Sequence, residues 1–588
     1  MLLSLTVAAA IAETVTAMTL ERHVGSHKPL EYWKKGARAP AGALHEVIVR
    51  AVPLASRGEL EALLLERSIP GSARFREWMS TEEVKRVGGA SELGATERWL
   101  KLGVGARTKA TKHGEYVRAI APVAAWEGVF ACEFYAWHHH EEKKTVLRCD
   151  GDYSIESGAP AEAVFGVSDL PPRVWGGPRR RDKTNKTLDN IVTPSVINSF
   201  YEISSNAGSS KVYQGVFETS GMDFSGSDLS DFQSLFDLPS DKVDTDYGGH
   251  ESDIECEIDA DECDEGNLDV QYMMAVSQLT PMTYYYTDAS SPFVAFALYA
   301  ADLDTQPFVG SISWGSIESE MTDEVLEAFD VELVKATLAG STFFVSSGDD
   351  GVANFAAYSK ADCGYVPSYP ATSPYVVAVG ATYASSYDDP GVGEVVCESD
   401  VDDAIITSGG GFSTYYAQPN FTLAAISDYF DQVAPVSGYN ASGRAYPDLA
   451  LSGYDYLVVI GGAEYYVSGT SCSSPTVAAM ASLVNAVRVE AGASGLGYVL
   501  PSIYAQNGSF TNDITSGSNN CVAEDEFCCD QGFDAATGWD PVTGWGSVDY
   551  AKFEAVFTSD LDPLEVARAK SRLNVDAVRP LRAAAQKQ

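Results

Sequence analysis

Histidine is nearly missing from the last two thirds of the chain. Residues 190–588 hold one, His250, and the other seven precede residue 141. A nucleophilic serine in that stretch must therefore pass its proton to His250 or to a base that is not histidine. Basic residues are scarce there too. Residues 190–560 carry about 7 Lys and Arg against 55 Asp and Glu, whereas residues 1–189 carry 27 against 24. So acidic a body repels nucleic acid and anionic membrane surfaces. Beyond the N-terminus no uninterrupted apolar run reaches the ~18 residues of a membrane-spanning helix, which excludes an internal span. The ten cysteines fit no common zinc spacing. Disulfides are expected instead, with the pairing left open.

The charge asymmetry divides the chain of 588 residues into more than one domain. MLLSLTVAAAIAETVTA, residues 1–17, has the short apolar core and small-residue end of a secretory signal peptide, although it lacks the usual basic start. Residues 18–170 mix strand and helix patterns: HEVIVRAVPL reads as a strand and RGELEALLLER as an amphipathic helix. PPRVWGGPRRRDKTNKTLDN follows, rich in Pro, Gly and basic residues. Residues 171–190 are therefore read as an exposed linker, with a processing site within 179–190. Residues 191–558 change pattern. PFVGSISWGS is a buried strand, MTDEVLEAFDVELVKATLAG a helix with acids in its first turn, and STFFVSSGDDG and YVVAVGAT are further strands. The alternation predicts an α/β domain, a parallel sheet with helices on both faces, whose site lies beyond the strands' carboxyl ends. Residues 559–588 form a polar extension. Asn-x-Ser/Thr acceptors stand at Asn185, Asn420, Asn440 and Asn507, in keeping with secretion.

Three segments carry the chemistry. Ser468-Gly-Thr-Ser471-Cys-Ser-Ser-Pro475 precedes an Ala-rich apolar run, which sets Ser471 on the turn into a buried helix with Pro475 in its first turn. A helix N-terminus favours developing negative charge, and its free N–H groups can bind an oxyanion. Glu265 and Asp269 lie four residues apart at the start of another helix, with Leu268, Tyr272 and Val276 on its apolar stripe. Both carboxyls share one face and can share a proton, so that one acts as base while the other orients it. Asp349, in the SGDDG turn after a buried strand, would donate to an oxyanion if kept protonated. Taken singly, each also reads as a helix cap, a pair of surface acids or a turn aspartate. A fourth cluster, Asp513-Ile514 with GFDAATGWDPVTGWG, offers carboxylate and backbone oxygens of the kind Ca²⁺ selects.

Together these segments resemble the sedolisin family of serine-carboxyl peptidases, especially its tripeptidyl-peptidase branch. SGTSCSSP at 468–475, EGNLDVQY at 265–272, SGDDG at 347–351, TPSVI at 193–197, SGGGFS at 408–413, YPDLAL at 446–451 and GWDPVTGWG at 538–546 carry the likeness. It covers nearly all of 190–555 and extends more weakly to 45–170, which looks like the family's activation propeptide. The resemblance implies a subtilisin-like fold behind a smaller α+β propeptide, an acidic working pH, and one structural Ca²⁺. It implies Ser471 as nucleophile, Glu265 as general base, Asp269 as its support and Asp349 as the oxyanion acid. Asp513 and Asp540 would give Ca²⁺ side-chain oxygens, and Ile514, Ala536 and Gly538 backbone oxygens. Ala536 departs from the family's frequent glycine, and SGDDG from its frequent SGDSG, so that Asp350 adds a charge.

The expected protein is thus a secreted, lysosomal or vacuolar monomer that is held by its own propeptide in cis and cleaves peptides or unfolded proteins. A glutamate base, with an ordinary pKa of about 4.3, would still be ionised near pH 4–5, where imidazole is protonated. The near-neutral to basic N-terminal region would dock on the acidic body electrostatically and loosen as carboxylates protonate. Competing readings are an endopeptidase of the same family, a neutral-pH peptidase using His250, and an inactive binding protein that keeps the fold.

Overall fold

The computed structural model describes residues 32–585 apart from 113–114, 141–143, 152, 157, 182–190, 288–290, 307, 392, 401–403, 434–435 and 524–526. The expected signal peptide, Asn185 and most of the expected processing region lie outside the described residues.

The N-terminal unit is an antiparallel sheet with its own core. Leu44–Arg50 (β1) leads through a Ser56 capping box into Arg57–Ser68 (α1), followed by Arg107–Ala110 (β2), Tyr116–Pro122 (β3) and Ala163–Phe165 (β4). The sheet order is β2-β3-β1-β4. Val47, Val49, Val117, Trp126 and Phe130 fill a core made only of this unit's residues. The other face of β1 and β3 meets the second domain, where Tyr116 donates to Glu332 Oε1 at 3.0 Å. Across this interface the N-terminal unit mostly supplies the cation: Arg57 pairs with Glu327 and Asp330, Arg76 with Asp560, and Lys112 with Asp304. Lys335 with Glu115 is the reverse case.

The second domain is a parallel sheet between helices. Omitting for now the short strand Arg179–Arg181 (β5), its elements in chain order are Tyr213–Thr219 (β6), Asp264–Val276 (α2), Met282–Thr287 (β7), Phe308–Ile312 (β8), Asp323–Leu338 (α3), Thr342–Ser346 (β9), Val377–Ala384 (β10) and Leu449–Ser452 (β11). The hairpin strand Ala463–Ser468 (β12) and Thr470–Glu490 (α4) follow. The strands run in the order β7-β6-β8-β9-β10-β11 and pair in parallel. Every residue of β8, β9 and β10 is buried, as expected of strands covered by helices on both faces. This is the subtilisin-like α/β fold expected from sequence. The ends of β6, β8 and β9 lie side by side, and their last residues reach the same edge of the sheet.

Two expectations change. Helix α4 starts at Thr470, so Pro475 sits in its second turn rather than its first, and Ser471 is itself helical. Residues 171–181 are not an exposed linker: their backbone is paired in the cleft, because Pro, Gly and Arg there meet a complementary groove. The C-terminal extension forms a helix, Pro563–Ala585 (α5), whose Ala569 and Leu573 pack on Val212, Ala486 and Val487. The disulfides are Cys132–Cys149, Cys256–Cys263, Cys363–Cys529 and Cys521–Cys528, and Cys397 and Cys472 are buried outside these disulfides. Among the described residues no helix is long and apolar enough to cross a membrane.

Candidate active site

Ser471 enters the site from the first turn of α4. It is fully buried, and its Oγ lies 3.5 Å from the carbonyl oxygen of Ser313, just past the end of β8. Asp349, just past the end of the neighbouring β9, reaches the same turn. Its Oδ1 accepts from Thr470 N–H at 2.8 Å and from Thr470 Oγ1 at 2.7 Å. Its Oδ2 faces the space beside Gly469, 3.1 Å from where a Cβ there would stand. Burial pushes the Asp349 carboxyl up to about 6, against the lowering pull of the Thr470 N–H and of Arg179. A protonated Oδ2 would be an O–H donor beside the candidate nucleophile.

Helix α2 carries the paired carboxyls. It is buried on every side beyond its first residue, which is why Glu265 and Asp269 are both fully buried despite their charge. Asp269 accepts from the Ser313 hydroxyl, 3.0 Å from each of its oxygens. Ser313 thus touches Asp269 by its side chain and approaches Ser471 by its carbonyl. Neither Glu265 oxygen has a hydrogen-bond partner at standard geometry, and Glu265 makes no direct bond to Ser471 in this state. Burial drives the Glu265 carboxyl well above its usual range, and the neighbouring Asp269 adds to this; Asp269 is raised by burial and by Glu218. This departs from the near-ordinary acidity expected of Glu265. So close a buried pair resists holding two negative charges at once, and both carboxyls hold protons more tightly than free ones.

Sequence reasoning missed two members of this cluster. Glu218, at the C-terminal end of β6, is fully buried, and its Oε2 accepts from the Trp314 indole N–H at 2.7 Å. Burial and then Glu265 push Glu218 upward as well. The available signal was a single glutamate in YQGVFET, an otherwise uncharged strand that ends at the catalytic edge of the sheet. Asp264, raised to about 7 by burial, completes the acidic group. His250 is elsewhere engaged: its Nδ1 meets Asp223 and its ring stacks on Tyr286 at 3.3 Å. No described contact links it to Ser471.

Residues 171–181 run through this cleft. Trp175 and Gly315 exchange both backbone hydrogen bonds, at 2.8 and 2.9 Å, as an antiparallel pair. Further on, β5 pairs antiparallel with β12, Arg179 opposite Ser468. If that register were continued by two residues, past the bend at Gly177, Gly177 would come opposite Ser313, whose carbonyl is the one beside Ser471. A Cβ on Gly177 would lie 3.5 Å from Asp264 Oδ1, in the same acidic corner. On that continuation the Gly177–Pro178 bond would be the one facing Ser471. Gly176 can come this close because it has no side chain; a Cβ there would stand 2.2 Å from the Trp314 ring.

Asp513 and Asp540 meet the same loop, and Asp540 Oδ1 is taken by the N–H groups of Val542 and Thr543 at 3.0 and 2.8 Å. Asp513 accepts from Gly538 N–H at 3.2 and 3.0 Å, and Asp540 Oδ2 accepts from Ala536 N–H at 3.0 Å, so both carboxylates converge on one loop. The Thr537 carbonyl is taken by Gln432 at 2.9 Å. Among the described residues the carbonyls of Ile514, Ala536 and Gly538 accept no hydrogen bond. Two acids and three open carbonyls are a donor set suited to a hard cation.

Residues 31–160 match the pro-kumamolisin activation domain, and residues 279–492 match the subtilase family. Asp349 and Ser471 fall inside the subtilase match, whereas Glu265 and Asp269 precede it. Physarolisin of Physarum polycephalum is 29% identical over 574 residues, covering 89% of this chain and 95% of that protein. Tripeptidyl-peptidase 1 of Rattus norvegicus is 29% identical over 508 residues, covering 81% and 86%. Among solved structures, a Pseudomonas sedolisin, a serine-carboxyl proteinase, matches at 25% identity with a TM-score of 0.51, over 64% of this chain and all of that one.

Proposed function

Because the chain is a serine peptidase precursor of the sedolisin type, with a pro-kumamolisin activation domain ahead of a subtilase domain, we propose that it hydrolyses peptide bonds in acid through an acyl-enzyme on Ser471. The observation that carries this reading is the convergence of Ser471, Asp269 and Ser313 at the edge of one sheet, with Asp349 on the turn that holds the serine. Ser471 Oγ attacks the carbonyl carbon, and its proton passes to the Glu265–Asp269 pair, which holds one negative charge. Asp349, protonated, donates to the oxyanion together with backbone N–H groups at the start of α4. The pair returns the proton to the leaving amine, and water repeats the sequence to free the acid.

Glu218 and Trp314 support the pair from behind by holding a further carboxyl beside it. The first 170 residues would act as the inhibitory propeptide, and residues 171–181 as its plug in the cleft. Asp513, Ile514, Ala536, Gly538 and Asp540 would hold Ca²⁺, which supplies positive charge to the loop and fixes it against the sheet. Peptides or unfolded proteins are the substrates, the compartment is extracellular, lysosomal or vacuolar, and the working form is a monomer.

Tripeptide release from free N-termini is the mode suggested by the name of the rat relative. The cleft favours a second mode, internal cleavage. On the continued register Trp175 would be the third residue before the bond at Ser471, yet the chain continues past it, with Arg173 N–H donating to Glu320 at 3.2 Å. The test is cleavage of a long peptide by the full chain after incubation at pH 4 or at pH 7, with products mapped by mass spectrometry. Loss of the N-terminal third and activity only after the acid step are expected. Tripeptide ladders select the first mode and internal cuts the second. Activity at pH 7 that is lost in acid overturns the proposal.

A further inference from the structure

The segment that fills the cleft also shows what the cleft recognises. On its continued register Gly177 would precede the bond at Ser471, Pro178 would follow it, and Arg179 would be the second residue on the leaving side. The Arg179 guanidinium is held as a fork. Its Nη2 lies 2.7 and 2.8 Å from the two oxygens of Asp350, and its Nη1 donates to the Ile405 carbonyl at 2.9 Å. Asp350 is itself fixed, nearly buried, by the Ala523 N–H at 3.0 Å. The backbone beneath is fixed as well, since Arg179 sits opposite Ser468 in the strand that leads to Ser471.

A carboxylate placed beside a carbonyl, both oriented before the ligand arrives, suits a planar guanidinium better than an ammonium. The carboxylate comes from the second Asp of SGDDG, on the turn that also carries Asp349. Cleavage of the linker would leave this socket in place and unfilled.

We propose that Asp350 and the Ile405 carbonyl form a specificity site for arginine at the second residue after the scissile bond of a peptide substrate. This rests on the reading of Ser471 as nucleophile. In the precursor Arg179 occupies the site, and in the processed enzyme a substrate arginine takes its place.

The test uses the full chain after acid processing, at one pH, on peptides that differ only at the second residue after a mapped cut: Arg, Lys, Gln or Glu. The expected kcat/KM for Arg is about tenfold or more above Gln, with Lys between and Glu lowest. In Asp350→Ser the Arg-to-Gln ratio falls to within about twofold. A measurement on the native enzyme alone guards against a variant that does not fold: the peptide VWGGPRRR should inhibit about tenfold better than the same peptide with Gln for the residue equivalent to Arg179. A flat peptide series, equal inhibition by the two peptides, or a preference that survives in Asp350→Ser overturns the site while leaving the peptidase reading intact. Absence of any cleavage overturns both.

Discussion

At the scale of single residues, the distinctive group is Asp349. It must hold a proton to donate to an oxyanion, and burial sets its pKa at about 6. Activity should therefore fall as the pH rises through about 6, because the donor becomes an anion facing a developing anion. Asp349→Ala should cost about 10²–10³ in kcat, the usual cost of losing one oxyanion donor. Asp349→Asn keeps a donor that does not titrate, and its pH profile should lack the fall above 6. An unchanged fall in Asp349→Asn would assign that limb to another group. Glu265, Asp269 and Ser471 stood out in the sequence as two acids on one helical face and a serine before an Ala-rich helix, while their roles came only from the family resemblance. Glu218 and Trp314 did not stand out. Glu218 lies at the end of β6 and Trp314 two residues past β8, and only the sheet order β6-β8 brings them together.

At the scale of elements, the segment 171–181 was misread for a physical reason. Pro, Gly and Arg in a row signal exposure by composition, yet the same residues form a strand when an edge is available to pair with. Glycine lets the backbone approach Trp314, and arginine finds Asp350 and Asp261. Proline directly after the bond at Ser471 removes an N–H and restricts the backbone where the leaving amine must rotate and accept a proton. The plug thus lies in the direction of a substrate without being cut readily. Pro178→Ala should allow cleavage between residues 177 and 178 and speed acid activation several-fold, read by N-terminal sequencing of the released domain over time. An unchanged rate and cut position would mean that the register at Ser471 is not the one described. The long helices and buried strands were legible throughout, since helix caps and apolar runs act locally: the acids of α3's first turn and the buried run of β9 appear where the pattern put them.

At the scale of the whole molecule, the sequence showed a near-neutral unit ahead of a strongly acidic one, and the interface explains part of that asymmetry. Arg57, Arg76 and Lys112 of the N-terminal unit meet acids of the second domain. Burial also raises acids of the second domain, Asp330 even with Arg57 beside it. Asp264 and Asp330 are raised to about 7 and Asp349 to about 6, each chiefly by burial. Their folded values lie above the ordinary value of 3.8. The sign follows: the folded state holds these protons more tightly than the unfolded chain. Their stabilising contribution is complete below about pH 4 and is lost as the pH rises through about 7. The Ser471→Ala precursor, which should not process itself, should melt several degrees higher at pH 5 than at pH 8 in scanning calorimetry. A higher melting temperature at pH 8 would mean that these acids are ionised and paired in the fold. The sequence carried the net charge of −42 but not which acids are buried, because burial depends on the packing of α2 and α3 against the sheet.

The central claim is that a carboxyl pair does the work of histidine, and Glu265→Gln tests it most directly. Glutamine preserves the shape and removes the base. Acid-processed Glu265→Gln, prepared with an active native chain to trim its propeptide, should lose about 10³-fold or more in kcat/KM on a peptide substrate while still binding it, alongside Ser471→Ala as the inactive reference. Full activity in Glu265→Gln would contradict the account and return the search for the base to the rest of the chain.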